Sequence, residues 1–236
     1  MPLPKLVAPT YELELPSTGD TIKYRPFLVK EEKILLLAME SEDEKQMTNA
    51  VKTILKNCIL SKVKVDDLAT FDIEYLFLNI RAKSVGEEIE LNVICPDDNE
   101  TTVPVKINVE DIKVQKSDSH NKVIQLNDDV SIVMKYPSME MFVKTNLSSN
   151  ANAEDVFEIA SSCIDQVIEG EEVYEVRSFS KKEISDFMES MDTAQFLKIQ
   201  QFFETMPKLS HKITVKNPNT NVDNDIVIEG LASFFA

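Results

Sequence analysis

Alternating apolar and polar residues predict a β-hairpin close to the start of the chain. Residues 10–26 contain two alternating arms around the turn-forming stretch Pro16–Asp20, and they end on a proline. The apolar positions of the two arms are Tyr11, Leu13, Leu15, Ile22 and Tyr24. Residues 121–137 repeat this pattern over the same length around Asn127–Asp129 and also end on a proline. The sequence therefore predicts two hairpins of one kind, one in each half of the chain.

Each hairpin is followed by segments whose apolar residues recur at three- and four-residue spacing, which is typical of helices with one buried face. A capping box of Ser41 and Glu44 begins one of these helices. The helices predicted in the first half span residues 30–39, 44–59 and 70–80. Two helices predicted in the second half span residues 138–146 and 153–168. A third, short helix follows a capping box at Ser180–Glu183, and a fourth begins at Asp192. A short strand is predicted at residues 171–176.

A further hairpin closes each half, and its turn contains a proline. Residues 88–108 alternate on both sides of Cys95–Asn99, and the strands around Asn217–Asn221 alternate in the same way. The same elements thus recur in the same order, which indicates an internal duplication. The sequence predicts an α+β fold with two diverged copies of a hairpin–helices–hairpin unit.

The polar stretch between the halves predicts the domain boundaries. We expect an N-terminal unit at residues 1–114, a linker at 115–121 and a C-terminal unit at 122–236. The second unit is longer, and an insertion near 171–185 is the simplest account of the difference.

Composition and charge narrow the classes of function. A hydrophobic content of 43% is sufficient for packed cores, and the formal charge of −16 opposes binding to phosphate backbones. No apolar run is long enough to cross a membrane, and the N-terminal residues do not have the pattern of a signal peptide. We therefore expect a cytoplasmic protein that binds neither nucleic acid nor membrane, and whose acidity suits a basic protein partner.

The two closing hairpins resemble the arms of a zinc ribbon, but their turns do not carry a zinc ligand set. Such a site needs four sulfur or nitrogen ligands, whereas Cys95 and Asp98 lie in the first turn and Asn217 and Thr220 in the second. We expect metal-free structural turns. A degenerate zinc-ribbon regulator that binds nucleic acid or the host transcription machinery is the alternative.

The sequence nominates no catalytic residue and no cofactor. A nucleophile would need a neighbouring histidine, but the two histidines, His120 and His211, are expected at the surface. Cys58 and Cys163 lie in apolar helical patterns, where we expect them to be small buried side chains. The protein is therefore predicted to be no enzyme.

An apolar C-terminal stretch stands out in this acidic chain. Leu231, Phe234 and Phe235 either dock on their own domain or form a partner-binding segment. The cluster of Met139, Met141 and Phe142 is interpreted first as core and second as an adaptable contact surface.

Three segments resemble the T4-type phage baseplate hub subunits, also called baseplate hub assembly proteins or tail-assembly chaperones. They are Pro26–Lys33, the helix from Thr70 into Asn79–Ser84, and Ile226–Leu231 followed by Phe234–Phe235. The resemblance spans essentially the whole chain. It implies a non-enzymatic role in building or forming the hub of a contractile tail, through contacts with other hub proteins and the tape-measure protein. It also implies the host cytoplasm during assembly and the virion baseplate as locations, and leaves the oligomeric state open.

Overall fold

The computed structural model describes residues 6–41, 43–138, 141, 153–230 and 233, and these form an α+β fold of helices and antiparallel sheets. The α-helices among the described residues are α1 (Val29–Glu40), α2 (Glu44–Cys58), α3 (Thr70–Val85), α4 (Ala153–Ser162), α5 (Lys181–Glu189) and α6 (Thr193–Thr205). The strands of the first half are β1 (Tyr11–Glu14), β2 (Thr21–Tyr24), β3 (Glu88–Ile94), β4 (Thr102–Asn108) and β5 (Lys113–Gln115). Those of the second half are β6 (Val123–Gln125), β7 (Val130–Met134), β8 (Ile164–Glu169), β9 (Glu172–Glu175), β10 (Lys208–Lys216) and β11 (Asp223–Glu229).

The described residues divide into two compact units, and the second is inserted into the first. The first unit contains the chain up to Gln115 and again from Lys208 onward, and the second contains Lys116–Pro207. This division differs from the consecutive units predicted at 1–114 and 122–236. The reason is that β10 pairs with β5 as well as with β11, so the last hairpin belongs to the sheet of the first unit.

The first unit has a core between its two closing hairpins and α3. Strands β3 and β4 form one antiparallel ribbon, and β11, β10 and β5 form a three-stranded sheet. Alternate residues of both sheets point inward, as their period-two pattern predicts. The buried residues of this core are Leu78, Ala82, Ile89, Leu91, Val93, Cys95, Ile107, Val109, Ile112, Leu209, Val215 and Ile228.

The opening hairpin of the first unit is connected to α2 by backbone hydrogen bonds. The Arg25 amide donates to the Cys58 carbonyl at 3.0 Å, and Tyr24 forms an antiparallel bridge with Ile59. Cys58 is fully buried, as predicted for a small apolar side chain.

A buried ion pair fixes the start of α1. The Glu31 carboxylate is fully buried, and it accepts from the Arg25 guanidinium at 3.0 and 3.3 Å and from the Leu28 amide at 2.9 Å. Burial opposes ionisation, but these hydrogen bonds outweigh it, and the pKa of Glu31 lies below its usual value. The orientation of α1 therefore depends on Arg25.

The second unit is a four-stranded antiparallel sheet in the order β6-β7-β8-β9, with a core shared by its helices. Its buried residues are Ile124, Leu126, Ile132, Met134, Ile159, Ala160, Cys163, Ile164, Val176, Met188, Ile199 and Phe202. The predicted helix 153–168 is wrong beyond Ser162, because β8 begins at Ile164. The β-branched residues Val167 and Ile168 pair with both β7 and β9, Ile164 pairs with β7, and this tertiary pairing overrides the local helical spacing.

One of the two predicted capping boxes is present: Ser180 and Glu183 form it at α5. Helix α6 starts at the predicted position, and there Asp192 and Gln195 form a capping box that was not predicted. The box predicted at Ser41 and Glu44 is wrong, since Asp43 caps α2 and Ser41 ends α1. The short loop between these helices leaves Ser41 in a helical conformation, which an N-cap residue does not adopt.

Candidate functional site

The turns of the two closing hairpins meet within the first unit, and we call residues 95–101 and 217–224 the paired turns. Asn217 is fully buried, and its Nδ2 donates to Asp97 Oδ1 and Asp98 Oδ2, both at 2.9 Å. The Thr220 hydroxyl donates to Asp97 Oδ2. A side-chain amide and a hydroxyl thus satisfy two carboxylates across the hairpins.

The two turns have matching backbone geometry. The Asn99 amide donates to the Cys95 carbonyl and the Asn221 amide to the Asn217 carbonyl, each at 2.9 Å. Asn99 and Asn221 have φ angles of +56° and +62°, a left-handed conformation that asparagine tolerates better than most residues. The asparagine at the end of each turn is therefore the feature of the sequence that indicates this shared backbone geometry.

Hydrogen bonding keeps both carboxylates of the paired turns ionised. The pKa of Asp98 is lowered mainly by the hydroxyl and amide of Thr101, and then by Asn217. The pKa of Asp97 is lowered mainly by Thr220 and Asn217. Charge-assisted hydrogen bonds of this kind are stronger than neutral ones. The hydrogen bonds of the paired turns therefore hold the two closing hairpins together.

The side chains at the four positions that a zinc ribbon would use make other interactions in this protein. These side chains are Cys95, Asp98, Asn217 and Thr220. Cys95 is buried, which raises the pKa of its thiol, while Asp98 and Asn217 are engaged in the hydrogen bonds above. Within the described ranges, no group of three or more His, Cys, Asp or Glu side chains could hold a metal ion.

Helix α1 carries an exposed apolar surface that sequence reasoning missed. Only Glu31, Leu35 and Ala38 of this helix are buried. The α1 apolar face consists of residues with large exposed fractions: Val29 (80%), Leu36 (54%), Leu37 (55%) and Met39 (39%). Exposed apolar residues that are contiguous on one element mark interaction sites in soluble proteins.

The signal for this surface was the uninterrupted apolar run from Ile34 to Met39. Successive residues of an α-helix are rotated by about 100°, so six apolar residues in a row surround the helix. A helix on the surface of a unit can bury only one side of such a run. The run therefore predicts either a fully buried helix or a helix with a partner.

His120 is not a simple surface residue as predicted. Its Nδ1 lies 3.0 Å from Thr205 Oγ1 and its Nε2 lies 3.1 Å from the Tyr136 hydroxyl, and its ring contacts Phe202. Burial, and then the charge of Lys122, lower the pKa of His120. The ring therefore connects the start of the second unit to the end of α6 within that unit. His211 is partly buried in β10.

The predicted partner-binding residues Leu231, Phe234 and Phe235 lie outside the described residues, as do Met139 and Phe142. Met141 is described and packs against the core of the second unit, with the Cys163 thiol 3.9 Å from its sulfur. Cys163 is fully buried, as predicted, which raises the pKa of its thiol to about 12. Of the helices in the described part of the chain, none is both long and apolar enough to cross a membrane.

Comparison with known proteins places the chain in a family. No curated protein and no solved structure matches it. A family model described as "T4 bacteriophage base plate protein" matches residues 8–236, which is nearly the whole chain. The match includes both units and all of the strands and helices described above. The chain therefore belongs to the T4 bacteriophage base plate protein family.

Proposed function

We propose that this protein acts in the hub of a phage contractile-tail baseplate, as an assembly factor or a hub component, and that it works by binding other proteins. Its partners are other hub proteins and the tape-measure protein. It binds them in the host cytoplasm during assembly, and it acts without catalysing a reaction. Membership of the base plate family supports the structural role.

The α1 apolar face is the observation that carries this proposal. An exposed leucine is common, but a helix with four exposed apolar side chains in an acidic protein is costly to maintain without a partner. Burial of a leucine side chain in an interface contributes roughly 1.5–3 kcal/mol. The face is therefore suited to a protein partner rather than to solvent.

We also propose that Leu231, Phe234 and Phe235 form a second partner-binding segment. The segment follows Gly230, whose φ of +74° turns the chain at the end of β11. Aromatic side chains dominate the energetics of protein interfaces because they bury large areas. Two adjacent phenylalanines thus suit a partner's pocket.

An internal duplication is part of the proposal, and equivalent hydrogen bonds in the two halves support it. The Arg25 amide donates to the Cys58 carbonyl, and the Lys135 amide donates to the Cys163 carbonyl at 2.7 Å. In each case a residue just after the opening hairpin bonds to a buried cysteine at the end of a helix. The matching geometry of the paired turns is a second such equivalence.

Co-expression tests the proposed function. The tagged protein is produced together with hub and tape-measure proteins of the same phage, and the complexes are purified at moderate salt. We expect at least one partner to be retained with the full-length protein and lost with Leu36→Glu. The matched control is Val227→Glu, because Val227 is 55% exposed on β11 and Leu36 is 54% exposed.

Two outcomes would contradict the proposal. If no hub or tape-measure protein is retained, the proposed role in the hub is wrong. Equal losses with Leu36→Glu and Val227→Glu would show that a new charge, rather than the α1 apolar face, disrupts binding.

A further inference from the structure

The α1 apolar face ends at an acidic corner, which consists of Glu40 and Asp43 among the described side chains. Val29 and Leu36 are seven residues apart and lie on one side of the helix, and Glu40 lies one turn beyond Leu36 on that side. Four of the five residues from Glu40 to Glu44 are carboxylates. Of these, Glu40 and Asp43 are described and exposed.

We infer that the α1 apolar face binds an amphipathic helix whose apolar side is followed by lysine or arginine residues, and that these basic residues lie against the acidic corner. This inference rests on the proposed function and names the class of partner. An amphipathic helix is a common ligand for an apolar surface of this kind, with anchors at helical spacing.

The dimensions of the face suit two turns of a partner helix. Val29 and Leu36 are separated by about 10 Å along the helix axis, given a rise of 1.5 Å per residue. Leu37 and Met39 widen the surface on either side of that line. Two or three apolar side chains of a partner at i, i+4 and i+7 spacing would cover it.

The charges around the face give the partner its orientation. Lys33 lies between Val29 and Leu36, and its long apolar stem can lie along the helix while its ammonium group stays in water. Lys30 is next to the buried Glu31, with its ammonium 3.3 Å from Oε1. The exposed charges in the N-terminal half of α1 are those of Lys30, Glu32 and Lys33, whereas an excess of carboxylates lies at its C-terminal end. A basic partner end is therefore attracted more strongly to the C-terminal end.

Peptide binding tests the inference with defined probes. Two fluorescent synthetic helices have the same leucine-rich side, and one ends in three lysines while the other ends in three glutamates. Fluorescence anisotropy measures the binding of each to the full-length protein. We expect the lysine peptide to bind at least about tenfold more tightly, with affinity that falls as salt rises.

Variants separate the apolar and the charged contributions. Leu36→Ser should weaken the lysine peptide about tenfold, because a buried leucine contact is lost. Glu40→Gln should weaken it a few-fold and reduce the salt dependence, and it should strengthen the glutamate peptide, because a repelling charge is removed. Val227→Ser is the matched control and should bind like the unchanged protein. Circular dichroism establishes that each variant is folded.

Several results would overturn the inference. Equal affinities for the two peptides would show that the charge at the end of the peptide does not determine binding. An unchanged affinity for Leu36→Ser would show that the binding site does not lie on α1. A concentration-dependent dimer that Leu36→Ser dissociates would show that a second copy occupies the face. These results do not depend on co-purification with hub proteins, so the proposed function and this inference can fail separately.

Discussion

Asn217 is a residue at which one buried amide meets two carboxylates. Its Nδ2 bonds to Asp97 and Asp98 across the paired turns, and its Oδ1 accepts the Asn219 amide at 2.8 Å within its own turn. The residue therefore links the two hairpins and shapes one of their turns. No other type of side chain of this size supplies two donors and an acceptor at once.

Replacing Asn217 by alanine tests how much the paired turns contribute to stability. We expect the free energy of unfolding to fall by about 1–3 kcal/mol, because two carboxylates lose a donor and a buried site loses its amide. Urea unfolding followed by circular dichroism measures this change. Asn92→Ala, at an exposed position on β3, should change it by less than about 0.5 kcal/mol. Equal effects of the two substitutions would contradict the role of the paired turns.

His120 makes the stability of the second unit dependent on pH. Its pKa lies below the ordinary value of 6.5, so the folded state disfavours the protonated ring. The unfolded chain then binds the proton first, and stability falls as the pH drops through 6.5 toward the lower pKa of the folded state. We expect the melting temperature to decrease between about pH 7.5 and pH 5.5.

The variant His120→Gln should reduce this pH dependence, because glutamine cannot be protonated and can still bond to Thr205 or Tyr136. Lys122→Met should also reduce it, since the positive charge of Lys122 is the second cause of the lowered pKa. Melting curves of the three proteins at both pH values measure the difference. Parallel shifts in all three would assign the pH dependence to other groups.

At the scale of elements, local pattern predicted the position of most hairpins and helices, and tertiary pairing decided the exceptions. The capping box at Ser180 and the helix start at Asp192 could be predicted from the sequence, because a capping residue acts on amides two or three residues away. The strand β8 could not be predicted from the local sequence pattern, because its partners β7 and β9 supply the hydrogen bonds that decide between helix and strand. The same limit applies to the α1 apolar face, whose exposure depends on what α1 packs against.

Gly170 determines the turn between β8 and β9. It has a φ of +59°, and its amide donates to the Asp129 carbonyl at 3.0 Å. A Cβ added there would meet no atom within 4 Å, so the cost of a substitution is conformational rather than steric. Gly170→Ala should destabilise the second unit by about 1–2 kcal/mol.

Gly170→Asn is the matched control, because asparagine adopts the left-handed conformation more readily than alanine. Its cost in the free energy of unfolding should be smaller than that of Gly170→Ala. Urea unfolding of both variants measures the order. A larger cost for asparagine would mean that this glycine is required for a reason other than its backbone conformation.

At the scale of the whole molecule, the duplication suggested by the sequence and the compact units follow different divisions of the chain. The sequence predicts elements that recur in the same order, but the last hairpin joins the sheet of the first unit through the pairing of Lys208 with Gln115. Hydrophobic periodicity identifies a hairpin and its inward face, but not the sheet that receives it. The closing hairpins were therefore predictable, while the insertion of one unit into the other was not.

Fragment experiments distinguish the two divisions. The second unit, Lys116–Pro207, has its own four-stranded sheet and core, and the hydrogen bond between His120 and Thr205 holds its two ends close together. We expect this fragment to unfold cooperatively on heating and to give a dispersed amide spectrum by nuclear magnetic resonance. A fragment of residues 122–236 instead exposes the inward side of β10 and β11, including Leu209, Val215 and Ile228. Its hairpin would lack β5 and α3, and we expect that hairpin to be unfolded or aggregated. Independent folding of the hairpin in 122–236, together with an unfolded 116–207, would favour consecutive units, because each closing hairpin would then be stabilised by its own half of the chain.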